Sequence, residues 1–334
     1  MKALVLNRNA SESGMVIIDL DEPQIGPGLV LVRIRAASIN FHDLAVISGQ
    51  LQAPEGRVLL SDAAGYVVAV GEGVERFRVG DRVISRFFPN WLSGPATSEQ
   101  LGGVPGDHVD GVAAEYVSFH EQAVTLLPKH MSFEEAACLP CAGVTAWQAV
   151  MDVIGARPGT SLLIQGSGGV SVFALQLAKA AGATVIATSS TNEKCEKLRA
   201  LGADHTINYL DNPEWGKLAK QCTGGRGVDG VVEVGGPGTL AQSIAACRMG
   251  GEIAMIGVLT GREGVIPTAD FFRANLRMTG ITVGSAQHQG ALVRATETAH
   301  LKPVIDSVFP LAEAKAAVSH QLRQKHFGKI VISI

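Results

Sequence analysis

The stretch Ser161–Gln165 (SLLIQ), followed by Gly166-Ser167-Gly168-Gly169-Val170-Ser171 and an apolar run to Ala181-Gly182, decides how this chain folds. An apolar strand-like segment enters a glycine turn, and the turn opens a helical pattern. That context is the one in which a Gly-rich turn cradles a dinucleotide. Gly166 permits the tight turn, and Gly168 and Gly169 let the backbone approach a pyrophosphate. Ser167 and Val170 complete the turn and lead it into the helix, whose N-terminus offers free N–H groups and a positive dipole end. Ser171 stands where a third glycine is usual, and it is small enough to pack there. Such a turn is a weak signal alone, but its surroundings strengthen it. Strands are expected at Thr184–Ser189, His205–Asn208, Val228–Val234, Glu252–Val258 and Arg277–Val283, and helices at about Asn192–Leu201, Glu214–Cys222 and Thr239–Cys247. Alternating strands and helices imply an α/β, doubly wound parallel sheet with helices on both faces.

The second strand of that series selects the dinucleotide. An NAD site usually carries an acid at its end, on the ribose hydroxyls. Here the strand ends Ala187-Thr188-Ser189-Ser190-Thr191, with no acid. Ser189 and Ser190 offer hydroxyls, Lys194 follows, and Tyr209 lies just beyond the third strand. Hydroxyls and an ammonium suit a 2′-phosphate, so NADPH is expected over NADH. Glu193 leaves NADH open, and a solvated Lys194 is the plain alternative.

Outward from this core the grammar changes. Before about Pro128 the chain is β-rich and punctuated by Gly and Pro, with short strands expected at Val30–Ile34, Gly65–Val70, Arg82–Ser85 and Ala114–Val117. Such spacing fits an antiparallel, barrel-like domain. Phe87–Asp110 reads as a long irregular excursion, of the kind that is functional or mobile. The tail ends in Lys329–Ile334 (KIVISI), a strand that could rejoin the first domain. The expected division is therefore a β-rich domain of 1–127 completed by 290–334, and a nucleotide-binding domain of 128–289. The length of 334 residues agrees with two domains.

Composition excludes several classes. Lys and Arg total 28 against 31 Asp and Glu, a net charge of −3, without the basic surplus of a nucleic-acid binder. No apolar run reaches membrane-span length, and the opening MKALVLNRNASESG lacks the apolar core of a secretory signal. Five Cys, an odd number, do not make a disulfide framework. A soluble protein of a reducing compartment, the cytoplasm, is expected.

Several further motifs carry a resemblance: Gly65–Gly80 (GYVVAVGEGVERFRVG) before Asp81-Arg82-Val83, Cys141-Ala142-Gly143-Val144-Thr145-Ala146, Leu201-Gly202-Ala203-Asp204, Gly225–Val234 (GRGVDGVVEV) and His326-Phe327-Gly328-Lys329. With the glycine turn, they make the chain resemble the medium-chain dehydrogenase/reductase superfamily over nearly its whole length. The resemblance implies a GroES-like catalytic domain, a Rossmann domain, an active-site cleft between them, and a homodimer or homotetramer joined through Rossmann sheets. It further implies cofactor contacts at Thr145, Gly235, Gly257, Val258, Phe327 and Lys329.

The sequence departs from the zinc-dependent members. A catalytic zinc needs three ligands of Cys, His or acid type. The corresponding positions read Asn40, Ser61-Asp62 and Cys141, and the four-Cys structural lobe is missing from Phe87–Asp110. No metal is expected, although His42, Asp62 and Cys141 leave an improvised site open. Cys138-x-x-Cys141 leaves a redox role open; two packed thiols are the plainer reading. The pattern is then similar to the quinone-oxidoreductase branch, which implies Asn40 near the nicotinamide and Lys194 and Tyr209 on the 2′-phosphate. The proton-donating Tyr of the enoyl reductases is missing near Ala45-Val46.

Without zinc an alcohol lacks help in losing its proton, whereas a quinone or an α,β-unsaturated carbonyl needs only hydrogen-bond donors at the oxygen that gains charge. Asn40 and Ser61 are candidate donors, and His42 or a water is the candidate proton source. Asp62 is either part of this group or holds a backbone turn. Phe88, Trp91 and Trp147 are candidate apolar walls. The expectation is NADPH-dependent reduction of a small quinone, enone or aldehyde, without nucleic-acid or membrane partners. The alternatives are an NAD(P)-dependent alcohol dehydrogenase or carbonyl reductase, and a non-catalytic NADPH-binding protein.

Overall fold

The computed structural model describes residues 1–8 and 14–334; part of the N-terminal segment inspected for a signal, 9–13, lies outside the described residues. The chain divides into two compact units, Met1–Val144 with Val283–Ile334, and Thr145–Thr282.

The first unit is GroES-like and β-rich. Strands β1 (Lys2–Leu6) and β2 (Met15–Asp19) pair as a ribbon. A second sheet holds β3 (Leu29–Ser38), β4 (Asp62–Val70), β5 (Arg82–Ser85), β6 (Tyr116–His120) and β7 (Val124–Leu126). Alternation in β3 follows from the period-2 pattern, with Val30, Val32 and Ile34 inward and Arg33 and Arg35 exposed. The core gathers Leu4, Leu6, Met15, Val30, Val32, Ile34, Leu59, Val67 and Val83, with Ile330 and Ile332 from the far end of the chain.

The boundaries differ from 127/128 and 289/290. Pro128–Val144 stays with the first unit because its polar groups are satisfied there. Lys129 N–H donates to Glu297 at 3.0 Å, the His130 ring bonds the Leu301 carbonyl at 3.0 Å, and Ser38 Oγ donates to the Ala137 carbonyl at 2.9 Å. Val283–Gln289 joins for the same reason: Gln289 Nε2 donates to the Ser85 carbonyl at 3.0 Å. The helix Ala286–Ala299, capped by Ser285, had no counterpart in the sequence reading.

Phe87–Asp110 is irregular but anchored. Backbone N–H groups of Ala286 and Gln287 donate to the carbonyls of Trp91 and Leu92, and the Trp91 ring meets His288 edge-on at 5.8 Å. Further along, Gly111 N–H donates to Val58, and Gly106 and Gly111 lie so close to Leu59-Leu60 that a Cβ on either would collide with backbone. Leu60 itself is held at φ 68, a conformation that a branched residue keeps only when its surroundings enforce it.

The second unit is a six-stranded parallel sheet of β8 (Ser161–Gln165), β9 (Thr184–Ser189), β10 (His205–Asn208), β11 (Val228–Glu233), β12 (Cys247–Met255) and β13 (Arg277–Gly280). Its order, β10-β9-β8-β11-β12-β13, is the Rossmann order, with the direction of winding reversing between β8 and β11. Leu162, Leu163, Ile164, Val231 and Val232 are fully buried, as expected of strands covered on both faces. Finally, β14 (Ile305–Pro310) and β15 (Lys329–Ser333) extend the first unit's sheet, with β15 between β14 and β3. No helix among the described residues is long and apolar enough to cross a membrane. All five cysteines are free thiols.

Candidate active site

In the Rossmann unit, the carboxyl ends of the parallel strands gather most of the residues singled out for the cofactor. Gly166 takes φ 75, as the turn after β8 requires. Gly168 caps the helix Gly169–Ala180, and a Cβ on it would meet nothing within 4 Å, so the protein itself leaves that space open. Ser171 Oγ donates to the Gln165 carbonyl at 2.6 Å, so the residue in place of the third glycine braces the turn. Ser167 and Ser189 hydroxyls meet at 3.2 Å, linking the ends of β8 and β9. Open space over a glycine turn, at the N-terminus of a twelve-residue helix, fits a dinucleotide pyrophosphate.

At the end of β9, Ser190 and Lys194 are partly exposed, and Thr191 caps the helix Asn192–Ala200 by accepting from the Lys194 N–H. Glu193 forms an exposed ion pair with Lys197 at 2.7 Å, and that partner lowers its pKa. Tyr209, after β10, is exposed and donates its N–H to the Ser189 carbonyl. Two of the glycines have reasons inside the protein. A Cβ on Gly257 would lie 2.0 Å from the Val234 oxygen, and one on Gly235 would strike Thr239. Val258 is exposed and Thr145 is buried. Phe327 and Lys329 belong to the other unit.

Sequence reasoning missed Glu233. Its buried carboxylate accepts from Gln165 Nε2 at 2.6 Å, Thr239 Oγ1 at 2.6 Å, the Gly235 and Gly236 N–H groups, and Ser243 Oγ. These charge-assisted bonds fix the turn after β11, opposite the glycine turn at the switch point. The acid at the end of an apolar strand was the available signal.

In the GroES-like unit, strand register brings the catalytic candidates together. β15 runs antiparallel to β3 with Val331 opposite Ser38, so Lys329 falls opposite Asn40. β4 pairs with the other side of β3, Asp62 opposite Ser38. Lys329 Nζ donates to Asn40 Oδ1 at 2.5 Å and to the Ile39 carbonyl at 2.6 Å. Asn40 Nδ2 donates to Ser61 Oγ at 3.2 Å, and Ser61 Oγ donates to Asp62 Oδ1 at 3.2 Å. Asp62 Oδ2 accepts the Cys141 N–H at 2.9 Å. Asn40 N–H is held by Asp43 Oδ2 at 2.7 Å in the capping box of the helix Phe41–Ile47. Asn40, Ser61, Asp62 and Lys329 are all buried. Burial raises the Asp62 pKa to about 6, although Lys329, Asn40 and the Cys141 N–H oppose the shift.

Ser61 is completely buried, with its hydroxyl between Asn40 and Asp62. Lys329, for which the resemblance implies a cofactor contact, directs its ammonium at Asn40. His42 stands beside this chain: Nε2 lies 3.1 Å from Asp107 Oδ2, Nδ1 lies 3.9 Å from Asp43 Oδ1, and the Phe87 ring meets it edge-on. Burial works against its charge, but the two carboxylates more than offset it and raise its pKa. Asp107, from the Phe87–Asp110 excursion, was not singled out in the sequence. The aromatic run continues from Phe87 to Phe88 and Trp91, all buried.

Comparison with known proteins agrees with both units. A family described as "Alcohol dehydrogenase GroES-like domain" matches residues 26–129, and one described as "Zinc-binding dehydrogenase" matches 169–297. A zinc-type alcohol dehydrogenase-like protein of Schizosaccharomyces pombe is 41% identical, over 95% of this chain and 94% of its own length. The alcohol dehydrogenase of Geobacillus stearothermophilus is 30% identical over all of both chains. The solved structure of an NAD-dependent alcohol dehydrogenase is 37% identical and superposes over the full length of both chains with a TM-score of 0.92. On fold, motifs and full-length similarity, this chain belongs to the medium-chain dehydrogenase/reductase superfamily, as an NAD(P)H-dependent oxidoreductase of the zinc-type alcohol dehydrogenase-like kind.

Proposed function

We propose that this chain is an NADPH-dependent, zinc-independent reductase of quinones or of the activated double bond in α,β-unsaturated carbonyl compounds. The observation that carries the reading is the Lys329–Asn40–Ser61–Asp62 chain. The zinc implied by the family name does not fit these side chains. The corresponding ligand positions offer an amide, a hydroxyl and one thiol, and the Asn40 oxygen already faces an ammonium at 2.5 Å. A divalent cation there would be repelled by Lys329 and would lack a competent ligand set.

When bound, NADPH supplies the hydride. The chain's own residues then have a limited task. Asn40 Nδ2 carries two hydrogens, of which Ser61 takes one, and the other is available to a substrate oxygen gaining negative charge. His42, whose protonated form Asp43 and Asp107 favour against its burial, or a water, supplies the proton. Gly166–Val170 and the helix N-terminus behind them hold the pyrophosphate. Ser189, Ser190, Lys194 and Tyr209 stand at the neighbouring strand ends for the 2′-phosphate, and Glu193 is occupied by Lys197.

The names of the relatives favour a second reading, an alcohol dehydrogenase, with NAD in the case of the solved structure cited above. A turnover screen with both cofactors, with and without chelator, separates the two. Turnover of a quinone or enone by metal-free protein is expected; loss with chelator and recovery with zinc would reverse the assignment. Lys194→Ala should weaken NADPH binding by about 1.5–3 kcal/mol, the usual value of a charge-assisted contact, with NADH nearly unchanged. Equal effects on both cofactors would favour the second reading.

We further propose a homodimer through β13. This edge strand has one neighbour, β12, and is exposed at every residue. Met278 on this strand is an exposed apolar side chain. An open strand with an exposed apolar side chain is a template for pairing with a second copy.

A further inference from the structure

A buried amide side chain can face its partners in either of two ways, and its neighbours decide which. An ammonium has only donors, so the atom of Asn40 that faces Lys329 must be the oxygen. The amide nitrogen must then face Ser61, whose hydroxyl accepts from Asn40 and donates to Asp62. The four groups thus form a one-way chain from a cation to a carboxylate, in which each bond polarises the next. Reversing the amide would set Nδ2 against an ammonium on one side while Oδ1 faced the Ser61 oxygen on the other. Ser61 would then have to turn its proton away from Asp62.

We propose that Lys329 is a positioning residue that acts through Asn40, fixing the orientation of its amide and polarising its N–H toward the substrate oxygen. The proposal rests on the reading above that Asn40 serves the reacting oxygen. It gives Lys329 a task different from the cofactor contact implied by the resemblance. The ammonium stands as a positive charge on the oxygen side of the Asn40 amide, opposite the N–H that faces Ser61. Its hold is redundant in geometry, through the Ile39 carbonyl as well as Asn40, so it does not depend on the amide it orients. The same register fixes its position, since Ile39 N–H donates to the Ile330 carbonyl at 3.1 Å between the two residues.

The test is a double-mutant cycle on full-length protein with saturating NADPH, using Lys329→Met, Asn40→Ala and both together. Each single change should lower kcat by about tenfold or more, and the double mutant should fall no more than about threefold below the worse single. NADPH dissociation constants, read by NADPH fluorescence, should stay within about threefold of wild type throughout. Multiplicative losses in kcat, or a tenfold loss of NADPH affinity with Lys329→Met, would overturn the proposal and return Lys329 to the cofactor. Asn40→Asp is the second variant, should Lys329→Met fail to fold. It keeps a partner for Lys329 but has no N–H to donate, so kcat should fall at least about tenfold with NADPH affinity retained. Retained turnover in Asn40→Asp would overturn the proposal. If wild-type protein turns over only an alcohol, the same cycle is read with that alcohol and saturating NADP+ as the hydride acceptor. The substrate reading then fails without deciding the fate of Lys329.

Discussion

Asp62 illustrates what a single residue costs in this arrangement. Its carboxyl is completely buried, and its pKa stands near 6 against an ordinary 3.8. The folded protein therefore holds a proton that the unfolded chain has already lost between about pH 4 and 6. Stability falls as pH rises through that window, by about 3 kcal/mol in all, and does not recover above it. Asp62→Asn keeps the shape and an acceptor for the Cys141 N–H but cannot ionise. Denaturant midpoints of the variant should be flat from pH 4 to 6 where wild type declines; a parallel decline in both would refute the assignment. At this scale the sequence was partly legible. Asn40, Ser61, Asp62 and His42 were singled out by type and position. The direction of their hydrogen bonds was not, because the donor that orients them, Lys329, comes from a strand 290 residues away. Asp107 was hidden for a related reason: an acid in an irregular segment has no periodicity to betray its partner.

Elements explain why glycines of similar appearance differ in purpose. Gly168 has φ −78 and empty space where a Cβ would be, so Gly168→Ala should change stability by no more than about 1 kcal/mol. The methyl group would stand in the space left for a pyrophosphate, so NADPH binding should weaken by at least tenfold, about 1.4 kcal/mol or more. Gly257 is the reverse case. A Cβ would overlap the Val234 oxygen, and Gly257→Ala should cost about 2–3 kcal/mol of stability. Thermal unfolding and NADPH titration on the two variants check the contrast. The sequence marked both glycines as cofactor positions, since a missing side chain looks the same whether a ligand or a neighbouring strand requires it. The strand series was legible because burial on both faces leaves short apolar runs, Leu162–Ile164 in β8 and Val231-Val232 in β11. Strand ends were less so. β12 begins at Cys247 rather than Glu252, in a Gly-containing stretch whose pairing depends on β11.

For the whole molecule, family and fold were legible because several motifs had to occur together in one order. An assembly was implied only by the resemblance, and the exposed β13 edge offers a physical test of it. A charge on that edge should oppose pairing, as natural edge strands use lysine to do. Met278→Lys should convert a species of twice 34.9 kDa into one of 34.9 kDa in light scattering. A wild-type monomer, or a variant still paired, would refute the interface. The interleaving of β15 between β14 and β3 has a further consequence, for the order of biosynthesis. The Rossmann strands are contiguous in the chain and can pair as they leave the ribosome. The Ala36–Ser38 end of β3, beyond the part that β6 covers, must wait with an open edge until its partner, 290 residues later, has been made. During translation the Asn40 end of the sheet is thus unfinished while the strands of the nucleotide-binding unit have all been made, so this end of the first unit closes last.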